Sequence, residues 1–197
     1  MPPRPGLDTP RVVQAAAGLV NAGGLESLTL SRLAEALGVQ TPSLYNHVDG
    51  LPGLRRELAL LSVRSLGQCL ADAAIGRSGP EALAALAQAY RAFIKDNPGL
   101  YAAGLRASGT LPAPDERLQA AEERAVQVGL AVLASLGLRG PDALHALRGL
   151  RSLVHGFATL EAAGGFGLPL DCDESFRRLV EMFVRSLQPC SNPGGPQ

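Results

Sequence analysis

The sequence predicts an all-α protein, in which a small N-terminal head of three helices precedes a larger C-terminal helical bundle. Apolar residues recur at the i, i+3, i+4 spacing of helices that bury one face, and short breaks rich in Gly and Pro separate these segments. No segment shows the alternation of apolar and polar residues that is typical of a strand. With 197 residues the chain is long enough to bury a substantial core.

Residues 9–50 are predicted to form the head. Thr9 is a suitable cap for a first helix that carries Pro10 at its first position and ends before Gly23. In the second helix, Leu33, Ala34 and Leu37 share one face, and Thr29 or Ser31 can cap it. Gly38 can take the positive φ that ends this helix.

A third helix is predicted to begin at Gln40 or Thr41, because Pro42 suits the first turn of a helix. Leu44 and Val48 then point inward at i, i+4, so the polar side chains between them point outward. Such side chains suit contacts with phosphates and with base edges in a major groove. Two short helices joined by a glycine turn indicate a helix-turn-helix, with the second helix as the DNA reader.

Residues 33–48 read Leu-Ala-Glu-Ala-Leu-Gly-Val-Gln-Thr-Pro-Ser-Leu-Tyr-Asn-His-Val. This string resembles the DNA-binding segment of the TetR family of bacterial transcriptional regulators, with Leu-Gly-Val, Leu-Tyr and His-Val at the family's spacing. The resemblance implies a repressor that binds a palindromic operator in double-stranded DNA as a homodimer and is released by a small-molecule effector. The alternative on this motif alone is a two-helix corner of another all-helical protein.

The side chains predicted to contact DNA lie on the helix-turn-helix. Four would face base edges and four would hold phosphates, and Gln40 precedes the reader helix. The predicted set is Thr29, Ser31, Gln40, Thr41, Pro42, Ser43, Tyr45, Asn46 and His47. Of these, Thr41, Pro42, Ser43 and Asn46 form the base-edge group, and Asn46 could pair with adenine.

The charge of the head is unusual for a DNA-binding protein. Residues 1–50 contain three arginines against four carboxylates, and Leu51 stands where the TetR family usually has a lysine that contacts phosphate. Because phosphate neutralisation normally supplies much of the affinity, we expect weaker non-specific binding and a smaller salt dependence than in a basic relative. The alternative function is therefore a dimeric helical small-molecule sensor that does not bind DNA tightly.

Residues 51–188 are predicted to form a helical domain for effector binding and dimerisation. Its last two long helices each carry a wide apolar face, which either completes the core of one subunit or meets a second copy in a four-helix bundle. The family dimerises in the second way. The predicted interface residues are Leu150, Val154, Phe176, Leu179, Val180, Phe183 and Val184.

The aromatic residues of this domain predict an apolar effector pocket with a few polar groups. Its candidate lining is Tyr90, Phe93, Tyr101, Leu105, Arg106, His155 and Phe157. His155-Gly156 also resembles part of the Trp-His-Gly motif of one TetR subclass, although this chain has no tryptophan. Three roles remain open for His155: a structural histidine, a dimer contact or an effector ligand.

Other classes of protein are disfavoured. The sequence has no Gly-rich phosphate loop, zinc motif or nucleophile elbow, so we expect neither an enzyme nor a resident metal or cofactor. Asp171 and Asp173 are more simply the cap and first turn of the last helix than part of a catalytic cluster. Three widely spaced cysteines and the absence of a signal peptide or membrane span favour a cytoplasmic protein. Residues 1–8 and 189–197 are predicted to be disordered.

Overall fold

A computed structural model describes residues 6–110 and 115–187, and the side chains of all of these except 106–110. Every regular element in the described residues is helical, which confirms the predicted all-α class. The α-helices are α1 (Thr9–Gly23), α2 (Leu30–Leu37), α3 (Thr41–Leu44), α4 (Gly50–Ala74), α5 (Gly79–Asp96), α6 (Pro98–Thr110), α7 (Glu116–Ser135), α8 (Gly140–Ala162) and α9 (Cys172–Ser186), with a short 3₁₀ helix at Leu25–Ser27. None of the described helices is both long and apolar enough to cross a membrane.

The first helix begins one residue earlier than its predicted cap implies. Asp8 is the cap, because its carboxylate accepts a hydrogen bond from the amide of Arg11 at 2.9 Å. Thr9 is already helical, and its hydroxyl donates instead to the carbonyl of His47 at 3.1 Å. The prediction of Thr9 as a cap was therefore wrong, because Asp8 holds the cap position and its carboxylate accepts the capping hydrogen bond.

The described chain forms two compact units. The first comprises residues 1–67 and 93–124, and the second comprises residues 68–92 and 125–197. This division by packing passes through α4, α5 and α7. The functional division at residue 50 that the sequence suggested stays a prediction. Most of the terminal residues that were predicted to be disordered lie outside the described residues.

In the first unit, α6 packs against α1. Residue 99 comes so close to the end of α1 that a Cβ there would lie 1.9 Å from the carbonyl oxygen of Val20. The side chain of Asn21 accepts a hydrogen bond from the amide of Leu100 at 2.8 Å and donates one to Asn97 at 3.2 Å. The three-helix head is thus continuous with the corner between α5 and α6.

In the second unit, α8 and α9 turn their apolar faces into the core of the same subunit. Five of the seven predicted dimer residues are buried there: Leu150, Val154, Phe176, Val180 and Val184. Leu179 and Phe183 are half-buried, and Phe183 packs against Gly149, where a Cβ would lie 3.1 Å from its ring. The five buried side chains are already covered by their own subunit, and the dimer interface stays a prediction. Periodicity identified a buried face but could not tell which neighbour covers it.

Candidate nucleic-acid interface

The helix-turn-helix forms through local interactions that the sequence encodes. The Thr29 hydroxyl accepts a hydrogen bond from the amide of Arg32 at 3.2 Å and so caps α2. At the other end, Gly38 has a φ of 67°, and its amide donates to the carbonyl of Glu35. The next amide, of Val39, donates to the carbonyl of Ala34 at 3.0 Å, which completes a Schellman motif. This motif fixes the turn into α3.

The predicted reader helix is shorter than expected. Its cap is Gln40, which makes no side-chain hydrogen bond, and Thr41 is its first helical residue. The helix has four residues, since the amides of Tyr45 and His47 donate to carbonyls three residues earlier and convert the rest into turns. We call residues 45–47 the recognition turn. Leu44 and Val48 are buried as predicted and anchor both ends of this turn.

The predicted DNA contacts differ in how far they reach solvent. Tyr45 is 61% exposed, an unusual position for so large an aromatic side chain. The more exposed members are Thr29, Ser31, Gln40, Pro42, Tyr45 and Asn46, whereas Thr41, Ser43 and His47 are half-buried. Polar side chains thus line the outward surface of α3 and the recognition turn, the arrangement that base and phosphate contacts need.

A polar groove of about 310 Å³ lies beside the recognition turn. We call it the turn groove. Its lining residues come from the recognition turn, the start of α4 and the start of α7: Tyr45, Asn46, His47, Val48, Asp49, Gly53, Arg56, Glu57, Asp115 and Arg117. The groove was missed by the sequence reasoning, because α7 begins some sixty positions away from the residues of α4 that it meets.

Two ion pairs of Arg117 lie in the lining of the turn groove. Arg117 donates to the carboxylate of Glu57, and its Nε lies 3.8 Å from Oδ1 of Asp115. The Glu57 hydrogen bond is the main cause of the raised pKa of Arg117. Asp115 also accepts hydrogen bonds from the amides of Arg117 and Leu118, and so caps α7. These contacts fix the start of α7 against α4.

The candidate effector residues are distributed over both units. Tyr90 and Phe157 are buried and His155 is half-buried in the second unit. Phe93 and Tyr101 are buried and Leu105 is half-buried in the first, and the side chain of Arg106 lies outside the described ones. An effector pocket from these residues stays a prediction.

A buried ion cluster in the second unit was not found from the sequence. Arg91 is 5% exposed at its side chain and binds Glu161 through Nε at 2.8 Å and Nη2 at 2.6 Å. Its Nη1 lies 2.8 Å from Asp173, and the guanidinium stacks over the rings of Phe157 and Phe176. The hydrogen bond that Arg91 donates to Glu161 is the largest cause of the raised pKa of Arg91. A lone arginine on an apolar helix face was the only signal in the sequence.

The acidic residues near the start of α9 behave as predicted. Asp171 caps the helix by accepting a hydrogen bond from the amide of Asp173 at 2.8 Å, and Asp173 lies in the first turn. This confirms the capping interpretation. Among residues 6–110 and 115–187, no three His, Cys, Asp or Glu side chains are grouped so that they could hold a metal ion.

The glycine beside His155 has a different environment from the one expected. A glycine inside a helix usually marks close packing, yet a Cβ on Gly156 would meet no atom within 4 Å in this chain. Close packing occurs instead at Gly129, where a Cβ would lie 2.5 Å from Leu147. Gly156 therefore faces open space on α8.

The sequence comparisons agree with this geometry. The family model described as the tetracycline repressor-like C-terminal domain matches residues 83–183. An uncharacterised HTH-type transcriptional regulator of Bacillus subtilis, YobS, is 36% identical over 188 residues, which are 95% of this chain and 96% of that protein. The fold and the exposed helix-turn-helix thus define the class of helix-turn-helix transcriptional regulators.

Solved structures show the same fold. A protein of unknown function from Rhodococcus sp. RHA1 is 22% identical with a TM-score of 0.82, covering 94% of this chain and 98% of that one. A TetR variant from Acinetobacter baumannii, solved with minocycline, is 24% identical with a TM-score of 0.67, covering 92% and 96%. The family model and the Bacillus relative show that the chain belongs to the TetR family of transcriptional regulators.

Proposed function

We propose that this TetR-family regulator is a cytoplasmic repressor that binds a palindromic DNA operator as a homodimer and is released by a small-molecule effector. The observation that carries the proposal is the exposed polar surface of α3 and the recognition turn, held in place by Leu44 and Val48. The tetracycline repressor-like family model supports repression rather than activation.

For the DNA contacts, we propose that Thr41, Pro42, Ser43 and Asn46 face base edges. Tyr45, His47, Thr29 and Ser31 hold phosphates, and Gln40 contacts DNA at the start of the reader. Thr29 accepts a hydrogen bond as the cap of α2, which leaves its hydroxyl hydrogen free to donate to a phosphate. Tyr45 is suited to the phosphate role because its hydroxyl stands on an exposed ring.

For the homodimer, the most suitable surface is one face of α8. Residues 144, 148, 152, 156 and 160 follow one another at i+4 and are exposed or half-buried. Leu144 and Leu160 are large and exposed at its ends, and Gly156 offers open space between them. A ridge at i+4 spacing with a small residue at its centre is suited to pack against the same ridge of a second copy.

The dimer proposal is tested by placing an arginine in that open space. A Cβ at position 156 would meet no atom within 4 Å, so we expect Gly156→Arg to give a folded protein that sediments as a monomer. The matched control is Gly18→Arg on α1, a helical glycine that is equally open and lies in the other unit. A Gly156→Arg variant that stays dimeric would place the interface elsewhere.

For the effector, we propose a small molecule bound in the second unit near Tyr90, His155 and Phe157, in an apolar pocket with a few polar groups. Minocycline is a rational first probe, since it occupies a structure of this fold. A true effector raises the melting temperature of the protein and lowers its affinity for the operator. His155→Ala should reduce both effects if His155 is a ligand and neither if it is structural.

The first experiment is a mobility shift with DNA that flanks the protein's own gene, at two salt concentrations. A saturable shift on one palindromic fragment in the presence of competitor DNA would support the repressor. The alternative, a dimeric sensor without tight DNA binding, is favoured by the charge of residues 6–50, which carry two arginines against four carboxylates. A folded dimer that shifts no fragment at low salt would support that alternative.

A further inference from the structure

The turn groove contains a cation that the proposed DNA contacts do not use. Two arginines line it, Arg56 from α4 and Arg117 from α7. Arg117 is committed to Glu57 and Asp115. Arg56 is exposed and forms no hydrogen bond or ion pair with any residue of the described ranges 6–110 and 115–187. Its guanidinium is therefore available to an outside ligand.

We propose that Arg56 binds a backbone phosphate of the DNA strand that passes the recognition turn. The inference rests on the proposed DNA-binding function and adds a residue to it. A guanidinium presents paired N–H donors that match the oxygens of a phosphate. The same groove is lined by Tyr45 and His47, whose side chains can donate further hydrogen bonds to that phosphate.

Arg56 adds positive charge beside a head in which carboxylates outnumber arginines. In residues 6–50, Arg32 donates to the carbonyl of Ser27 at 2.8 Å, and Arg11 also has a partner. The first cation with a free guanidinium beside the recognition turn is thus supplied by α4. Since phosphate neutralisation provides most non-specific affinity, an arginine at this position contributes to it.

One carboxylate opposes this phosphate site. Glu57 and Asp115 also line the groove, but both are paired with Arg117. Asp49 is exposed in the same groove and has no such partner among the described residues. Its negative charge repels a phosphate held by Arg56. Arg56 and Asp49 therefore act on DNA affinity with opposite signs.

The test compares three variants of the full chain on the fragment found by mobility shift and on a scrambled fragment. Arg56→Gln should weaken binding to both fragments, on the order of tenfold at ~0.1 M salt, and should reduce the slope of log Kd against log salt by roughly one. Arg55→Gln is the matched control, since Arg55 is an exposed neighbour on α4 that does not line the groove. Asp49→Asn should tighten binding to both fragments.

A second measurement locates the contact. Neutral methylphosphonates are placed at single positions of the fragment, and the wild type should lose affinity at one position where Arg56→Gln loses none. Equal losses from Arg56→Gln and Arg55→Gln, or a methylphosphonate profile unchanged by Arg56→Gln, would overturn the site while DNA binding stands. A wild type that binds no DNA at low salt would overturn the proposed function and this inference together.

Discussion

Gly99, in the first turn of α6, lies directly against the carbonyl of Val20 near the end of α1. A Cβ at position 99 would come within 1.9 Å of the Val20 oxygen and 2.8 Å of the amide nitrogen of Asn21. Both obstacles are backbone atoms, which cannot rotate away. The contact joins the head to α6, and only glycine permits it.

Gly99→Ala should therefore destabilise the protein by about 3 kcal/mol, at the upper end of the range for overpacked sites. The free energy of unfolding in urea measures it. Gly18→Ala is the control, because a Cβ there meets nothing within 4 Å, and it should stabilise α1 by up to ~1 kcal/mol. Equal stabilities of the two variants would mean that α1 and α6 separate easily.

The ion cluster of Arg91 should be essential for the stability of the second unit. Arg91→Met keeps an unbranched apolar stem but removes the guanidinium, and it leaves Glu161, whose side chain is 15% exposed, without its partner. We expect a loss of about 3 kcal/mol, as for one partner removed from a buried pair. Asp173→Asn should cost less than ~1 kcal/mol, because that carboxylate is 80% exposed. Thermal unfolding of both variants measures their losses of stability. Similar losses in Arg91→Met and Asp173→Asn would contradict the expectation that Arg91 contributes more.

The hydroxyl of Thr9 should position the recognition turn. Thr9→Val preserves the shape of the side chain and removes the hydrogen bond to the carbonyl of His47. We expect a loss of about 1 kcal/mol in unfolding free energy and weaker binding to the operator. Thr9→Ser retains the hydroxyl and should restore both properties. If Thr9→Val binds DNA as tightly as the wild type, the hydrogen bond does not control the turn.

Substitutions at two neighbouring residues of the recognition turn should have different effects, one on the affinity for DNA and the other on sequence specificity. Tyr45→Ala removes a proposed phosphate contact and should weaken binding to every DNA sequence alike. Asn46→Ala removes a proposed base contact and should relax the preference at one base pair, where discrimination is worth about 1–3 kcal/mol. A binding titration against single-base operator variants distinguishes them. Unchanged affinity in both variants would show that the reader is misassigned.

Acid should weaken α9 through Glu174. This carboxylate accepts hydrogen bonds from Arg177 and Arg178, each at 2.7 Å, and the first of these is the main reason that its pKa falls from 4.5 to about 2. Because the pKa is lower in the folded state, the stabilisation is complete above pH 4.5 and is lost as the pH falls towards about 2.

The matching measurement is urea unfolding of the wild type and of Glu174→Gln at successive pH values. Their difference in stability should be largest near neutral pH and should shrink in the acid window. The ion pairs are exposed, so high salt should shrink the difference as well. A difference that does not change with pH would show that these pairs do not contribute.

The parts of this protein that could be predicted from sequence are those that depend on near neighbours in the chain. The cap at Thr29, the turn at Gly38 and the inward residues Leu44 and Val48 follow from spacing, since their partners lie within about a helical turn. The family resemblance rests on the same local string. For this reason the all-α class and the helix-turn-helix were predicted, and the structure confirms them.

Contacts between distant segments were decided only by the tertiary fold. Arg91 and Glu161 are 70 positions apart, and Thr9 and His47 are 38 apart, so no local pattern pairs them. The same limit applies to the last two helices: the spacing of Val154 and Phe176 predicts burial, which the structure shows within one subunit, but the spacing does not identify the surface that covers them. Sequence periodicity determines that a face is buried, whereas the packing of the whole chain determines what covers it.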